Sequence, residues 1–249
     1  MSDTILETRG LTVQFGSSKA LDDVNITIRA GEVRGLIGSN GAGKSTFINA
    51  VSGRLPDVVC GSVTFNSHQI AGRSARSIAR LGLARTFQTS SVFPDFTVRE
   101  NFWLAIRSRQ GVLSNLCDFG LSSSIDAEVG ELVRDMKLDA HRDVRVSELS
   151  HGDQRLVEIG LAFAMRPKLL LLDEPTAGLS PAETGLVLEL LRLRQHATAL
   201  LIVEHDMAVV LGLSDRITVL DRGRVLDEGT PQHITSSKAV RDAYLGAYA

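Results

Sequence analysis

The chain has 249 residues, of which 43% are hydrophobic and 22% are charged, and its formal net charge is -2 at pH 7. This length can bury a sizeable core, and the composition is that of an ordinary globular protein and excludes a disordered chain. The slight negative charge gives no electrostatic reason to expect nucleic-acid binding. The two cysteines, Cys60 and Cys117, form no CxxC pair, and no histidine lies at metal-ligand spacing. These features argue against a disulfide scaffold or a zinc site and fit a reducing cytoplasm.

The sequence carries no pattern typical of a targeting or membrane-spanning segment. The N-terminal residues lack the basic and then apolar stretch of a secretory signal. The apolar runs at 169–172 and 199–203 are far shorter than the roughly 20 residues that cross a bilayer. Any role at a membrane is therefore expected to pass through partner proteins. No internal repeat is present, so we expect one catalytic module rather than a tandem pair.

The first part of the chain predicts strands that lead into a glycine-rich loop. Apolar residues alternate with polar ones at 11–15 and at 24–28, which predicts two half-buried strands joined by a turn. A short apolar strand at 33–37 then runs into the glycine-rich stretch 38–43, and a helix is expected to begin near Lys44. Another strand is predicted at 61–66, followed by a connection rich in serine and arginine.

The pattern becomes helical after Pro94. Thr97 and Glu100 form a capping box, which marks the start of a helix. Apolar residues at helical spacing predict two more helices, near 125–136 and 156–163. The segment 111–124 between them is rich in glycine and serine and predicts a loop or an irregular hairpin.

Short continuous apolar strands return after Pro167. The runs at 168–172 and 199–203 suit buried parallel strands that are covered on both faces. A closing hairpin is expected from 216 to 227, and a short helix at 238–245. The sequence therefore predicts an α/β core formed by residues 1–90 and 161–249, with a helical subdomain inserted at 91–160.

The stretch GSNGAGKS at residues 38–45 fits the phosphate-loop pattern GxxxxGK[ST], with a strand before it and a helix after it. Glycines let successive backbone N–H groups turn inward around an anion, and the helix N-terminus adds a favourable dipole. Lys44 is expected to reach the β- and γ-phosphates, and Ser45 to bind Mg²⁺. A chance glycine-rich turn is the alternative, and the strand–loop–helix setting disfavours it. The predicted nucleotide-binding residues are Gly38, Ser39, Asn40, Gly41, Ala42, Gly43, Lys44, Ser45 and Thr46.

Two acidic residues, Asp173 and Glu174, follow the buried strand at 169–172. In an open parallel sheet, ligands lie at the carboxyl ends of the strands, so both side chains are expected beside the phosphates. Asp173 suits Mg²⁺ coordination, and Glu174 suits a general base that polarises the attacking water. An acidic pair after a strand is by itself a common solvated turn. The phosphate loop favours the catalytic interpretation.

Other motifs resemble those of a known family. LSHGDQR at residues 149–155 resembles the signature motif of ABC ATPases, usually written LSGGQ. In chain order, Gln88 resembles the Q-loop glutamine, Ser180 falls in the D-loop, and His205 resembles the switch histidine. Phe15 lies where the family places an aromatic residue that stacks on adenine. The similarity covers essentially the whole chain, and it implies a P-loop NTPase core with an N-terminal antiparallel β subdomain and an inserted helical subdomain.

This resemblance also implies how the site residues work together. The whole chain, 1–249, would be one ABC ATPase domain that hydrolyses ATP with Mg²⁺. Two such subunits, as a homodimer or a heterodimer, would sandwich two ATP molecules head to tail, so that each phosphate loop faces Ser150 and Gly152 of the other chain. The implied catalytic residues are Glu174, His205, Lys44 and Gln88. The implied metal ligands are Ser45, Gln88 and Asp173.

Some positions depart from the family pattern. His151 replaces the first glycine of the signature motif, Asp153 replaces its glutamine, and Ser180 stands where many relatives have aspartate. We interpret His151 as a tolerated exposed side chain. Phe15 shares the alternation phase of the preceding apolar residues, so a core strand position is an alternative to adenine stacking.

A second set of motifs narrows the resemblance. LARTFQ at 83–88, TVREN at 97–101, VEHDM at 203–207 and AYLG at 243–246 resemble the ATPases of branched-chain amino acid importers, and among these the longer of the two paired ATPases. The resemblance implies uptake of branched-chain or related polar amino acids through two integral-membrane permease subunits, supplied by a periplasmic solute-binding protein. The chain would then lie at the cytoplasmic face of the inner membrane. A urea or amide importer and a lipopolysaccharide-type exporter are alternatives.

Two further classes are disfavoured. ABC ATPases that act on ribosomes or DNA usually hold two modules or a long coiled-coil insert, and neither is present. A degenerate regulatory subunit is disfavoured because Lys44, Asp173, Glu174 and His205 are all in place. The segment 88–101 is expected to bind the permease, since Phe93 and other apolar residues there lie in a loop-like stretch. The alternative is that they pack against the helix at 102–106.

Overall fold

The computed structural model describes residues 3–55, 59–86, 92–110, 123–194 and 197–245. The chain forms two compact units. The strand-rich unit comprises Met1–Arg85, Lys168–Pro175 and Arg192–Ala249, and the helical unit comprises Thr86–Pro167 and Thr176–Leu191. Within the described ranges, no helix combines the length and the apolar character needed to cross a membrane.

Strands and helices alternate along much of the chain. The described strands are β1 (Thr4–Phe15), β2 (Ser18–Arg29), β3 (Val33–Gly38), β4 (Val59–Phe65), β5 (His68–Gln69), β6 (Leu83–Arg85), β7 (Leu169–Asp173), β8 (Ala199–Val203), β9 (Arg216–Asp221) and β10 (Arg224–Gly229). The described α-helices are α1 (Lys44–Val51), α2 (Ala75–Arg80), α3 (Val98–Arg109), α4 (Ser123–Asp135), α5 (His151–Ala164), α6 (Pro181–Arg194), α7 (Met207–Leu213), α8 (Pro231–Ser236) and α9 (Lys238–Val240).

The smaller sheet of the strand-rich unit is antiparallel, in the order β2-β1-β4-β5. Leu11 and Val13 of β1 are fully buried, as are Val24 and Ile28 of β2. This alternation puts the apolar side chains on one face, which packs into a core shared with α1 and the larger sheet. The predicted pair of half-buried strands is therefore confirmed.

The larger sheet has the order β10-β9-β3-β8-β7-β6 and is parallel from β9 to β6. Every residue of β3, β7 and β8 is buried, as expected for parallel strands covered on both faces. Asp173, the last residue of β7, pairs with Val203, the last residue of β8. The carboxyl ends of these strands therefore lie at one edge, and the segments that follow them meet there. β10 pairs antiparallel with β9, which confirms the closing hairpin.

The helical unit is built on α3, α4 and α5, and α3 packs against both of the other helices. Thr97 caps α3 by accepting from the Glu100 N–H, and the Glu100 carboxylate accepts from the Thr97 N–H at 2.8 Å. This reciprocal pair is the predicted capping box. The two further helices predicted from apolar spacing are α4 and α5. The loop predicted at 111–124 lies outside the described residues as far as 122, and its last two residues already belong to α4.

Two segments differ from the sequence pattern. Residues 75–80 form α2, whereas the sequence predicted only a connection rich in serine and arginine there. This helix buries only Ile78, and one apolar residue is too few to produce a helical period. Near the C-terminus, the helix expected at 238–245 is α9 followed by a π-helical turn at Arg241–Leu245.

Candidate functional site

The phosphate-loop segment connects β3 to α1 along the edge where the parallel strands end. Gly43 is the N-cap residue of α1 and has a φ of 108°, a conformation that L side chains rarely adopt. A Cβ at this position would also lie 2.8 Å from the Ala20 carbonyl oxygen. The backbone turn into α1 therefore requires glycine, as the pattern predicted.

The start of α1 is suited to an anion. Gly43 has no side chain to cap the helix, and the first turn contains no acidic residue. The Lys44 ammonium donates to the carbonyl oxygens of Gly38 at 2.7 Å and Ser39 at 3.0 Å, so it lies over the loop. Burial lowers the pKa of Lys44, and the negative charges of Glu174 and Asp173 oppose that shift. Backbone N–H groups, a helix dipole and a lysine fit the phosphate chain of a nucleotide.

The two acidic residues lie in different environments at the end of β7. Asp173 is buried, and its Oδ2 accepts from the Arg85 guanidinium at 3.1 Å. Glu174 has a φ of 49°, and its N–H donates to the Val203 carbonyl at 2.8 Å. A left-handed backbone is strained for a glutamate, and such strain is typical of functional positions.

Glu174 and His205 lie together. The imidazole Nδ1 of His205 is 3.4 Å from Glu174 Oε1, and both side chains are partly exposed. Lys44, Asp173, Glu174 and His205 of the strand-rich unit therefore lie at the carboxyl edge of the parallel sheet. Each stands at the end of a parallel strand or in the segment that follows one.

A magnesium ion would find oxygen donors at this edge. The described residues hold no cluster of three histidine, cysteine, aspartate or glutamate side chains that could bind a metal unaided. Magnesium ions in nucleotide sites are usually held by one or two protein oxygens together with phosphate oxygens. The hydroxyl of Ser45 and the carboxylate of Asp173 are donors of this kind, so the residues present fit the ion.

In the helical unit, Ser150 is the N-cap of α5. Its hydroxyl accepts from the Asp153 N–H at 3.1 Å and donates to Asp153 Oδ2 at 2.7 Å. His141 Nδ1 lies 3.7 Å from the same Asp153 oxygen. The aspartate that replaces the usual glutamine of the signature motif therefore helps to close the N-terminus of α5. His151 is exposed, as expected.

Glu183, which was not among the predicted site residues, lies against the same helix terminus. Its Oε2 accepts from the Ser180 N–H at 2.8 Å and from the Ser180 hydroxyl at 2.7 Å. These hydrogen bonds lower the pKa of Glu183, and the Gly152 N–H also donates to this carboxylate. A Cβ at Gly152 would lie 2.1 Å from Glu183 Oε1. The spacing of Ser180 and Glu183 is a capping-box pattern, so the sequence did hold a signal for this contact.

Two predicted residues have different outcomes. Phe15 is 49% exposed, so the alternative of a core strand position is wrong, and adenine stacking stays a prediction. Gln88 lies outside the described residues. Arg85 and its contact with Asp173 were also missed, and a lone arginine in a short strand offers no pattern that could have indicated it.

Residues 21–177 match the family model described as ABC transporter. The chain belongs to this family. It is therefore an ABC-type ATPase, as its motifs predicted. It is 38% identical over 255 residues to LivG of Escherichia coli (strain K12), a high-affinity branched-chain amino acid transport ATP-binding protein, with 99% of both chains covered. It is 35% identical to the corresponding protein BraF of Pseudomonas aeruginosa, again with 99% of both covered.

Solved ABC ATPase structures share the fold. One is a nucleotide-free ATP-binding cassette from an ABC transporter, with a TM-score of 0.82, 30% identity, and coverage of 97% of this chain and 98% of that one. Another is the ADP conformation of MJ1267, an ATP-binding cassette, with a TM-score of 0.81, 32% identity, and coverage of 98% and 100%. These similarities confirm the P-loop NTPase core and support nucleotide binding by this ABC ATPase.

Proposed function

We propose that this ABC ATPase powers the uptake of branched-chain or related polar amino acids through separate permease subunits. Relatives named for branched-chain amino acid transport align with it over 99% of its length. They do not favour the urea or amide importer or the lipopolysaccharide-type exporter. The observation that carries the catalytic part is the meeting of Lys44, Asp173, Glu174 and His205 at one sheet edge.

The whole chain acts as one ABC ATPase domain, and its strand-rich unit holds the nucleotide. Phe15 stacks on the adenine, and the loop 38–46 binds the phosphates with Lys44 on the terminal ones. Ser45, Asp173 and Gln88 hold Mg²⁺, which when bound neutralises negative charge on the phosphate oxygens. The exposure of Phe15 and the uncapped start of α1 support this arrangement.

Glu174 is the general base for the attacking water, and His205 positions it. A carboxylate oxygen 3.4 Å from the imidazole can be oriented by that ring while it accepts a proton from water. Gln88, which lies outside the described residues, acts on the terminal phosphate as the Q-loop resemblance implies. The partial exposure of both side chains leaves room for a water molecule and the nucleotide.

A second ABC ATPase subunit, identical or different, completes the site with Ser150 and Gly152 of its own α5. The contact between the Gly152 N–H and the Glu183 carboxylate supports the view that this helix terminus binds an oxygen anion. Two integral-membrane permeases bind the exposed residues Phe93 and Phe96 and hold the chain at the cytoplasmic face of the inner membrane. A periplasmic solute-binding protein delivers the amino acid.

Uptake by the reconstituted complex tests this proposal. The chain is assembled in proteoliposomes with the second ATPase, the permeases and the solute-binding protein of the proposed transporter. Uptake of labelled leucine, a polar amino acid and urea is then measured with ATP and with a non-hydrolysable analogue. We expect ATP-dependent uptake of leucine or the polar amino acid. Uptake of urea alone would contradict the amino-acid assignment, and outward movement of a lipid-linked substrate would contradict import.

A further inference from the structure

Arg85 connects two elements of the nucleotide site. It is the last residue of β6, and its side chain is only 10% exposed. One end of the guanidinium, Nη2, donates to Asp173 Oδ2 at 3.1 Å, and the other, Nη1, donates to Asn49 Oδ1 at 2.6 Å. The buried Nε has no hydrogen-bond partner among the described residues. The orientation of the guanidinium is therefore set by Asp173 and Asn49.

Asn49 and Ser45 belong to the same helix. They are four positions apart in α1 and so share one face of it. The arginine thus ties the helix that carries the Ser45 hydroxyl to the strand end that carries the Asp173 carboxylate. Because guanidinium is planar and rigid, its two hydrogen bonds fix a direction as well as a distance.

The ion pair between Arg85 and Asp173 is expected to add little to the stability of the fold. Only 10% of the Arg85 side chain and 3% of the Asp173 side chain are exposed, so both charges are largely removed from water. Replacing a buried ion pair by apolar residues of similar volume is often neutral or stabilising, so such a pair contributes little net stability. A functional purpose is therefore the better explanation for an arginine with so little exposed side chain at this place.

We propose that Arg85 is a positioning residue for the magnesium site. Its guanidinium holds the Asp173 carboxylate at a fixed distance and angle from the Ser45 hydroxyl. This inference rests on the metal-binding roles proposed above for Ser45 and Asp173. Ligating carboxylates are commonly held by such outer partners, whose loss typically costs 10–100-fold in metal affinity. The two side-chain hydrogen bonds that Arg85 makes in the described part of the chain go to Asn49 and Asp173, not to the phosphate loop 38–43 or to Lys44. We therefore expect binding of the nucleotide without metal not to depend on Arg85.

Metal binding by the nucleotide complex tests the proposal. The full chain is held in excess over ADP, Mn²⁺ is added as a probe for Mg²⁺, and free Mn²⁺ is followed by EPR, while ADP affinity in EDTA is measured with a fluorescent analogue. We expect Arg85→Met to raise the half-saturating Mn²⁺ concentration at least about tenfold. The ADP affinity in EDTA should stay within about twofold. Arg85→Lys should recover part of the lost Mn²⁺ affinity, because lysine keeps the positive charge but lacks the planar guanidinium that donates in two directions.

Two further variants keep the test decisive if Arg85→Met folds poorly. Asn49→Ala removes one of the two anchors and leaves the ion pair, so it should raise the Mn²⁺ requirement by a smaller factor. Arg54→Met is the matched control, since it removes a neighbouring positive charge without removing the Arg85 contacts. Unchanged Mn²⁺ affinity in the Arg85 variants, an equal loss of ADP affinity in EDTA, or an equal effect of Arg54→Met would overturn the proposal. A wild-type chain that binds ADP in neither condition would instead contradict the proposed function, and the positioning role with it.

Discussion

Glu174 differs from its neighbour Asp173 in exposure and in backbone conformation. Its left-handed φ of 49° costs roughly 1–2 kcal/mol for a residue with a Cβ. The hydrogen bond from its N–H to Val203 helps to hold this conformation. The same turn that strains the backbone directs Glu174 toward His205 while Asp173 stays buried beside Arg85. Adjacent carboxylates therefore reach two different environments, which suits a base and a metal ligand.

Glu174→Gln should bind ATP normally and hydrolyse it far more slowly. The amide keeps the shape of the side chain and loses the base, and a positioned general base contributes on the order of 10²–10⁴ in rate. Trapped ATP should also stabilise a dimer, which size-exclusion chromatography with Mg-ATP would detect. Turnover at the parent rate would mean that catalysis must be reassigned, with His205 as the first candidate.

Residue roles could be predicted where a motif fixes them. Lys44 and Asp173 stand in short patterns whose chemistry is local, so the sequence alone was enough to predict that both belong to one site, and the structure brings them to one sheet edge. Arg85 could not be found in this way, because its partner Asp173 lies 88 positions away and meets it only through sheet pairing. Glu183 could be predicted only in part. Its spacing from Ser180 predicts that it caps the start of α6, but not that it contacts Gly152.

The segment that precedes α3 presents two aromatic rings to the surface. Phe93 is 54% exposed and Phe96 is 37% exposed, and their ring centroids lie 5.5 Å apart. Asn101, which is buried, donates to the carbonyl oxygens of Phe93 and Thr97, each at 3.0 Å, and accepts from the Phe93 N–H at 2.9 Å. The buried Asn101 side chain therefore fixes the backbone of this turn, while the rings of Phe93 and Phe96 remain exposed to a partner. Their exposure contradicts the alternative that they pack inside against α3.

Phe93→Ser and Phe96→Ser should separate assembly from catalysis. ATP hydrolysis by the isolated chain should stay close to wild type, since neither ring lies among the predicted catalytic residues. Co-purification with the permeases should weaken, and solute-stimulated hydrolysis in the assembled complex should be lost. Met165→Ser is the matched control, because Met165 is another exposed apolar residue of the helical unit, at 43% exposure. A variant that assembles and transports normally would contradict the docking role, as would a variant that misfolds alone.

Periodicity predicted most elements well, and it failed where burial was too sparse. Strands β7 and β8 and helices α4 and α5 bury several apolar side chains each, so their patterns were readable. Helix α2 buries one, and it was missed. For Phe15, periodicity suggested burial where the structure shows exposure. The residue is in phase with the buried Leu11 and Val13, but it lies at the end of its strand beside the turn.

On the scale of the molecule, a parallel sheet brings together segments that are far apart in sequence. The carboxyl ends of β3, β7 and β8, with the segments that follow them, supply the phosphate loop, the acidic pair and His205 to one edge. The family pattern allowed this arrangement to be predicted. The strand order itself could not be read from the apolar runs, because buried parallel strands of similar composition do not encode which neighbour they choose.

ATP hydrolysis by Lys44→Ala tests directly whether the loop 38–45 binds the phosphates of a hydrolysed nucleotide. Phosphate release from Mg-ATP and thermal unfolding are measured for the purified wild-type chain and for Lys44→Ala. Lys168→Ala is the control, because Lys168 is an exposed lysine of the same unit. We expect Lys44→Ala to keep its fold and to lose activity by on the order of 10²–10³, because it removes charge compensation at the reacting phosphate. Lys168→Ala should behave as wild type. Hydrolysis by Lys44→Ala at near the wild-type rate would show that the loop 38–45 is not the phosphate-binding loop.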